Sequence, residues 1–154
     1  MDTALQLKID TDNGIIRTDK EIMYALNQSE LVNELTGNLI DKPLFYVWRL
    51  IALSEIPYAT RLPYTRELIR KVYDKLAFPY GFSLSGDNKM FLPCYNAMLT
   101  TALCRLGHAS DKEVRNAINW IIAYQPMERN TPVTLPDLNF ERYGGCYHKT
   151  PCYI

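Results

Sequence analysis

Apolar residues recur at helical spacing in several stretches of the chain, and similar helix starts follow one another at equal intervals. The Thr-Asp-Lys-Glu run at 18–21 and the Ser-Asp-Lys-Glu run at 110–113 each precede an apolar run of helical period. A hydroxyl residue followed three positions later by glutamate is a capping box, which signals the start of an α-helix. Thr65 and Glu67 lie halfway between these two runs. The pattern predicts three helices that start in the same register of a repeat.

A second set of helices is predicted between the first ones. Pro43, Pro93 and Pro151 each stand where a first helical turn would begin, a position that suits proline because its missing N–H needs no partner there. In the helices near 43–56 and 93–107, apolar residues occur on nearly every side, which marks these helices as inner helices. The helix that starts at 151 belongs to the same set. The helices near 18–36, 63–77 and 110–125 carry a single apolar stripe, as outer helices do.

Alternating inner and outer helices predict a single all-α domain over residues 1–154. The architecture we expect from this pattern is a two-layer α/α array of inner and outer antiparallel helices, closed or open. The chain has 154 residues, enough to bury a core of this kind.

Charge and hydropathy exclude several classes of partner. Seventeen basic residues balance seventeen acidic ones, so we expect no nucleic-acid partner. No stretch approaches the roughly 20 apolar residues of a membrane span, and residues 1–10 lack the pattern of a signal peptide. These features predict a cytoplasmic location, where the four cysteines stay reduced.

Two stretches of the chain resemble a known repeat. They are Leu-Pro-Cys-Tyr-Asn-Ala at 92–97, which continues to Gly107, and Ser-Asp-Lys-Glu-Val at 110–114, which continues to Gln125. They are similar to the inner and outer helices of the prenyltransferase and squalene-oxidase repeat, found in the terpenoid cyclase and protein prenyltransferase superfamily. The resemblance is fainter over 43–82. It implies an α/α barrel whose inner helices line a central cavity.

The chain departs from that family in two respects. Cyclases of this kind use an Asp-x-Asp-Asp acid motif, and the nearest approach here is the Asp-Thr-Asp-Asn run at 10–13. The chain also ends at Ile154, just after another inner helix would begin, so we expect a partial toroid. Self-association or the remainder of a longer chain would complete it. Catalytic residues therefore stay unassigned, and so does enzymatic activity.

Aromatic residues of the inner helices are the candidates for ligand binding. Phe45, Tyr95 and Tyr153 occupy the same position in three inner helices. In a toroid they would line the cavity and hold an isoprenoid or another apolar small molecule; in the alternative interpretation they are core. Asn96 needs a hydrogen-bond partner, either at that cavity or on neighbouring backbone. The predicted ligand-binding set is Phe45, Tyr46, Trp48, Tyr95, Asn96 and Tyr153.

Cys146, His148 and Cys152 are the densest group of candidate metal ligands. Thiolate and imidazole are the ligands that zinc prefers, so zinc is the one cofactor for which the sequence offers candidate ligands. The resemblance adds Asp137, because protein prenyltransferases bind zinc through Asp, Cys and His. The alternative is that Cys152, which aligns with Cys94, is a small core residue. We expect His108 to be a solvated loop residue.

Two functions from different classes remain open. One is a toroid domain that binds an isoprenoid or another apolar ligand in an inner-helix cavity. The other is a noncatalytic helical-repeat module that binds other proteins. A deep aromatic cavity with converging polar groups would favour the first, and a filled axis with an exposed apolar flank would favour the second.

Overall fold

The computed structural model describes residues 1–124, which are mostly helical, in agreement with the predicted fold class. Over these residues the chain forms seven α-helices, two short 3₁₀ turns and one small two-stranded sheet. The helices are α1 (Thr3–Asp12), α2 (Asp19–Gln28), α3 (Glu30–Thr36), α4 (Pro43–Ser54), α5 (Pro63–Leu76), α6 (Pro93–Arg105) and α7 (Lys112–Tyr124). The strands are β1 (Ala77–Phe78) and β2 (Gly81–Phe82).

The predicted outer helix near 18–36 is two helices, because the chain breaks at Ser29. The backbone of Ser29 is extended, and its hydroxyl caps α3 by accepting a 3.0 Å hydrogen bond from the N–H of Val32. The same hydroxyl donates to the carboxylate of Asp2, which also accepts from the N–H of Ala4 and so caps α1. Helix α1 was not among the predicted helices, and Asp2 ties its start to that of α3.

Of the helices expected to start in the same register, α2 begins at its capping box, whereas α5 begins before Thr65. At α2 the capping box is complete: Thr18 and Glu21 exchange hydrogen bonds between side chain and backbone. Helix α5 begins at Pro63, and Thr65 lies fully buried inside it. Proline presets the helical φ at the first position, so α5 starts before the hydroxyl residue that was predicted to cap it.

Helices α4 and α6 run parallel and side by side. The ring of Trp48 contacts that of Tyr95 near the starts of the two helices, and Glu55 pairs with Arg105 at their C-terminal ends. Helix α4 also packs against α5, and α6 against α7. The composition of α4 predicted burial on several sides; the helix packs against α3, α5 and α6 and leaves Leu44 and Trp48 exposed.

The short hairpin formed by β1 and β2 packs closely against α6 and α7. It pairs Ala77 with Phe82 and Phe78 with Gly81. Gly81 has a φ of +123°, and a Cβ there would lie 2.4 Å from Oδ1 of Asn96 and 2.6 Å from Cβ of Ala117. Only glycine fits at this point, so the close approach of hairpin and helices depends on it.

Candidate functional site

An apolar strip runs along the exposed side of α4. Leu44, Trp48 and Ile51 are spaced by four and three residues, which places them on one side of the helix. Leu44 is 45% exposed and Trp48 is 54% exposed. Tyr95 of α6, whose ring contacts Trp48, extends the strip onto the neighbouring helix, and Met98 lies three residues further along α6; both are half-buried. We call these five residues the α4–α6 face.

The tryptophan at the centre of this face is held by an aromatic contact. The rings of Trp48 and Tyr95 meet edge to face, with centroids 6.3 Å apart and planes at 86°. Such a pair stabilises the orientation of both rings. A large aromatic side chain that is fixed on one edge and open to solvent on the rest is typical of an interaction surface.

A charged pair bounds the α4–α6 face at the C-terminal ends of the two helices. Arg105 donates to the carboxylate of Glu55, and both side chains are about half exposed. An exposed pair of this kind adds little to stability. Its position gives the apolar strip a polar border, as protein interfaces have at their rim.

The two remaining predicted ligand-binding residues of α4, Phe45 and Tyr46, are more buried than Trp48. Phe45 is half-buried, with the guanidinium of Arg49 4.7 Å above its ring. Tyr46 is fully buried in the core, and its hydroxyl has no hydrogen-bond partner among the described residues. The two aromatics adjacent in sequence to the α4–α6 face therefore point into packed surroundings.

Asn96 is fully buried and binds backbone. Its Oδ1 accepts a 2.9 Å hydrogen bond from the N–H of Phe82, while its Nδ2 has no partner among residues 1–124. Thr100 donates to the backbone carbonyl of Asn96 at 2.6 Å. The sequence left two places open for the hydrogen-bond partner of Asn96, a cavity or neighbouring backbone. In the structure both Asn96 and Thr100 bond to backbone.

Two cavities open between the described helices. The first, of about 480 Å³, lies between α1 and α2 and is lined by Thr3, Gln6, Leu7, Asp10, Arg17, Lys20, Glu21, Tyr24 and Ala25. The second, of about 410 Å³, lies near the C-terminal ends of α4 and α6, where Tyr58 adopts a left-handed backbone with a φ of +61°. Neither lining contains a predicted ligand-binding residue, so ligand binding by that set stays a prediction.

Sequence reasoning missed a polar cluster that joins α5 to the start of α7. Tyr73 donates to Oδ2 of Asp111 at 2.8 Å, and Nδ1 of His108 lies 2.8 Å from the same oxygen. The bonds from His108 and Tyr73 lower the pKa of the Asp111 carboxyl, while burial and the bond to Asp111 raise the pKa of Tyr73. His108 is thus bonded and half-buried, not simply solvated. Its spacing from Asp111 was visible in the sequence; the contribution of Tyr73 was not.

The predicted zinc ligands and one predicted aromatic lie outside the described residues. They are Asp137, Cys146, His148, Cys152 and Tyr153. Over residues 1–124, no three side chains of His, Cys, Asp or Glu are grouped in a way that would hold a metal ion. No helix in that same range is long and apolar enough to cross a membrane.

Comparison of the chain with protein-family models, with curated proteins and with solved structures finds no match.

Proposed function

We propose that this chain is a noncatalytic helical-repeat module that binds an apolar segment of another protein at the α4–α6 face. The observation that carries the proposal is the half-exposed Trp48 at the centre of an apolar strip. Tryptophan is enriched among the residues that contribute most to protein binding, because it buries a large area with few rotatable bonds. The rigid contact with Tyr95 lowers the entropy that binding would cost.

The charge pattern narrows the kind of segment that would bind. Leu44, Trp48 and Ile51 carry no charge, and the pair Glu55–Arg105 lies at one end. A helix laid against this strip would present apolar residues at helical spacing toward Trp48 and polar residues toward the pair. This is the helix-in-groove mode of recognition.

A second proposal keeps the chain as part of a toroid related to terpene cyclases and protein prenyltransferases. It is favoured by the parallel neighbours α4 and α6, each packed on an outer helix, with Trp48 open on the other side. In this proposal the α4–α6 face would line a cavity for an isoprenoid. It has less support than the first, because the face is open and Tyr46 and Asn96 are buried elsewhere.

One fluorescence experiment tests both proposals. The variant Trp120→Phe leaves Trp48 as the single tryptophan, since the chain has two. Emission of Trp48 is then followed while a synthetic amphipathic helix of leucine and lysine, or the isoprenoid alcohol farnesol, is added. The first proposal expects a saturable blue shift with the peptide, because the helix would remove the ring from water.

Two substitutions of exposed apolar residues serve as test and control, one on the α4–α6 face and one away from it. Leu44→Glu, placed in the first turn of α4 where a carboxylate is favourable, should abolish the shift without loss of stability. Ile122→Glu, at a residue 67% exposed on α7, should leave the shift unchanged. A shift with farnesol alone would favour the isoprenoid proposal, and no shift with either probe would overturn both.

A further inference from the structure

The loop between α1 and α2 holds one isoleucine almost entirely in solvent. Ile16 is 95% exposed, the largest exposed fraction among the large hydrophobic residues of the described chain. The residues on both sides of it are fixed to Asp10: the N–H of Ile15 donates to its carbonyl at 2.8 Å, and Arg17 donates to its carboxylate at 2.6 Å. These two bonds hold the backbone on either side of Ile16, whose side chain projects into solvent.

The cavity between α1 and α2 lies directly beside this loop, since Arg17 lines it. Leu7 and Ala25 contribute apolar surface to its lining, together with the exposed ring of Tyr24. Its volume of about 480 Å³ well exceeds the roughly 150 Å³ that accommodates a benzene molecule. By volume alone this open cavity has room for an aliphatic side chain.

The charges around the cavity are balanced. Arg17 and Lys20 face Asp10 and Glu21, so the lining carries two positive and two negative side chains. Gln6 and Arg17 both donate to the buried Asp10 carboxylate, which is therefore compensated within the chain. Two copies of this surface can approach each other without net repulsion.

We propose that two copies of this chain pair about a twofold axis, each inserting Ile16 into the α1–α2 cavity of the other. A twofold interface needs one surface that carries both members of the contact, and the projecting side chain and the cavity lie next to each other here. One isoleucine per cavity is a small contact, so we expect the dimer to dissociate on dilution. This surface is distinct from the α4–α6 face.

Sedimentation equilibrium of the full chain over a wide concentration range tests the proposal. The expected result is a reversible monomer–dimer equilibrium. Ile16→Glu removes two buried isoleucines per dimer and should raise the dissociation constant by about a hundredfold or more. Ile122→Glu, an exposed apolar residue on α7, should leave it unchanged. A wild-type chain that is monomeric at every concentration, or an Ile16→Glu chain that dimerises normally, overturns the proposal.

A second variant separates loss of contact from loss of folding. Ala25→Phe fills the cavity and leaves Ile16 in place, so it should also prevent self-association. Mixing it with Ile16→Glu restores one complete contact, and the mixture should associate more than either variant alone. Equal association of mixture and single variants contradicts the insertion of Ile16. Leu44→Glu should dimerise like the wild type, which keeps this test independent of the α4–α6 face.

Discussion

Tyr73 on α5 donates a 2.8 Å hydrogen bond to the carboxylate of Asp111, 38 residues later at the start of α7. The same carboxylate oxygen lies 2.8 Å from the ring nitrogen Nδ1 of His108. One side chain thereby ties helix α5 to the corner between α6 and α7. Because both neighbours favour the charged carboxylate, they lower the pKa of Asp111.

Asp111→Asn should destabilise the protein at neutral pH by about 1 kcal/mol, since a partly exposed charged hydrogen bond is lost. The folded-state pKa lies below the ordinary value of 3.8, so the contribution is complete above that value. It is lost as the pH falls through the folded-state pKa. The free energies of unfolding of wild type and variant, from urea titrations, should therefore converge under acid conditions.

The matched control for this prediction is Asp12→Asn. Asp12 is 62% exposed and contacts only Lys8 among the ion pairs of the described chain. Its substitution should change the free energy of unfolding little at either pH. A difference between wild type and Asp111→Asn that persists once the pH lies well below the folded-state pKa of Asp111 would show that the effect does not come from the carboxylate charge.

Gly81→Ala should destabilise the protein by about 3 kcal/mol, which combines a strained backbone with overpacking. The φ of +123° and the contacts with Asn96 and Ala117 leave no room for a methyl group. Gly107→Ala is the control: its φ is +89°, and a Cβ there meets nothing within 4 Å. It should cost only about 1 kcal/mol. Equal melting temperatures for the two variants would contradict the close packing of the hairpin against α6 and α7.

Removing a buried hydroxyl should have opposite effects at two threonines. Thr65 is fully buried and its hydroxyl has no partner among the described residues, so Thr65→Val should be neutral or stabilising by up to about 1 kcal/mol. Thr100 donates to the carbonyl of Asn96 at 2.6 Å, so Thr100→Val should cost about 1 kcal/mol. Thermal denaturation of both variants measures the difference. Destabilisation by Thr65→Val would mean that its hydroxyl is bonded.

The two tryptophans should respond differently to a quencher. Trp48 is 54% exposed, whereas Trp120 is 9% exposed and meets Phe91 edge to face. In Trp120→Phe the remaining emission should lie at longer wavelength and be quenched strongly by acrylamide. In Trp48→Phe it should lie at shorter wavelength and be quenched weakly. Similar quenching constants would show that the α4–α6 face is covered in solution.

Much of the helical framework was present in the sequence, because its signals act within one or two turns. The capping box of Thr18 and Glu21 and the prolines that start α4 and α6 identify helices from neighbouring residues alone. The spacing of apolar residues then distinguishes helices with a single apolar stripe from helices that are apolar on nearly every side. The break at Ser29 was missed although four polar residues, Asn27 to Glu30, interrupt the apolar period there; Asp2, whose carboxylate bonds Ser29, lies 27 residues away.

The candidate site depended on tertiary structure. Phe45, Tyr46 and Trp48 are equally aromatic in the sequence, yet one is packed under Arg49, one is in the core and one faces solvent. Which side of a helix finds a neighbour is decided by elements distant along the chain, and no local pattern contains that information. The sequence by itself determined that this chain is built mostly of successive helices. Only the packing of α4 against α5 and α6 decided which of their apolar residues stay exposed, because burial is a property of the assembled helices.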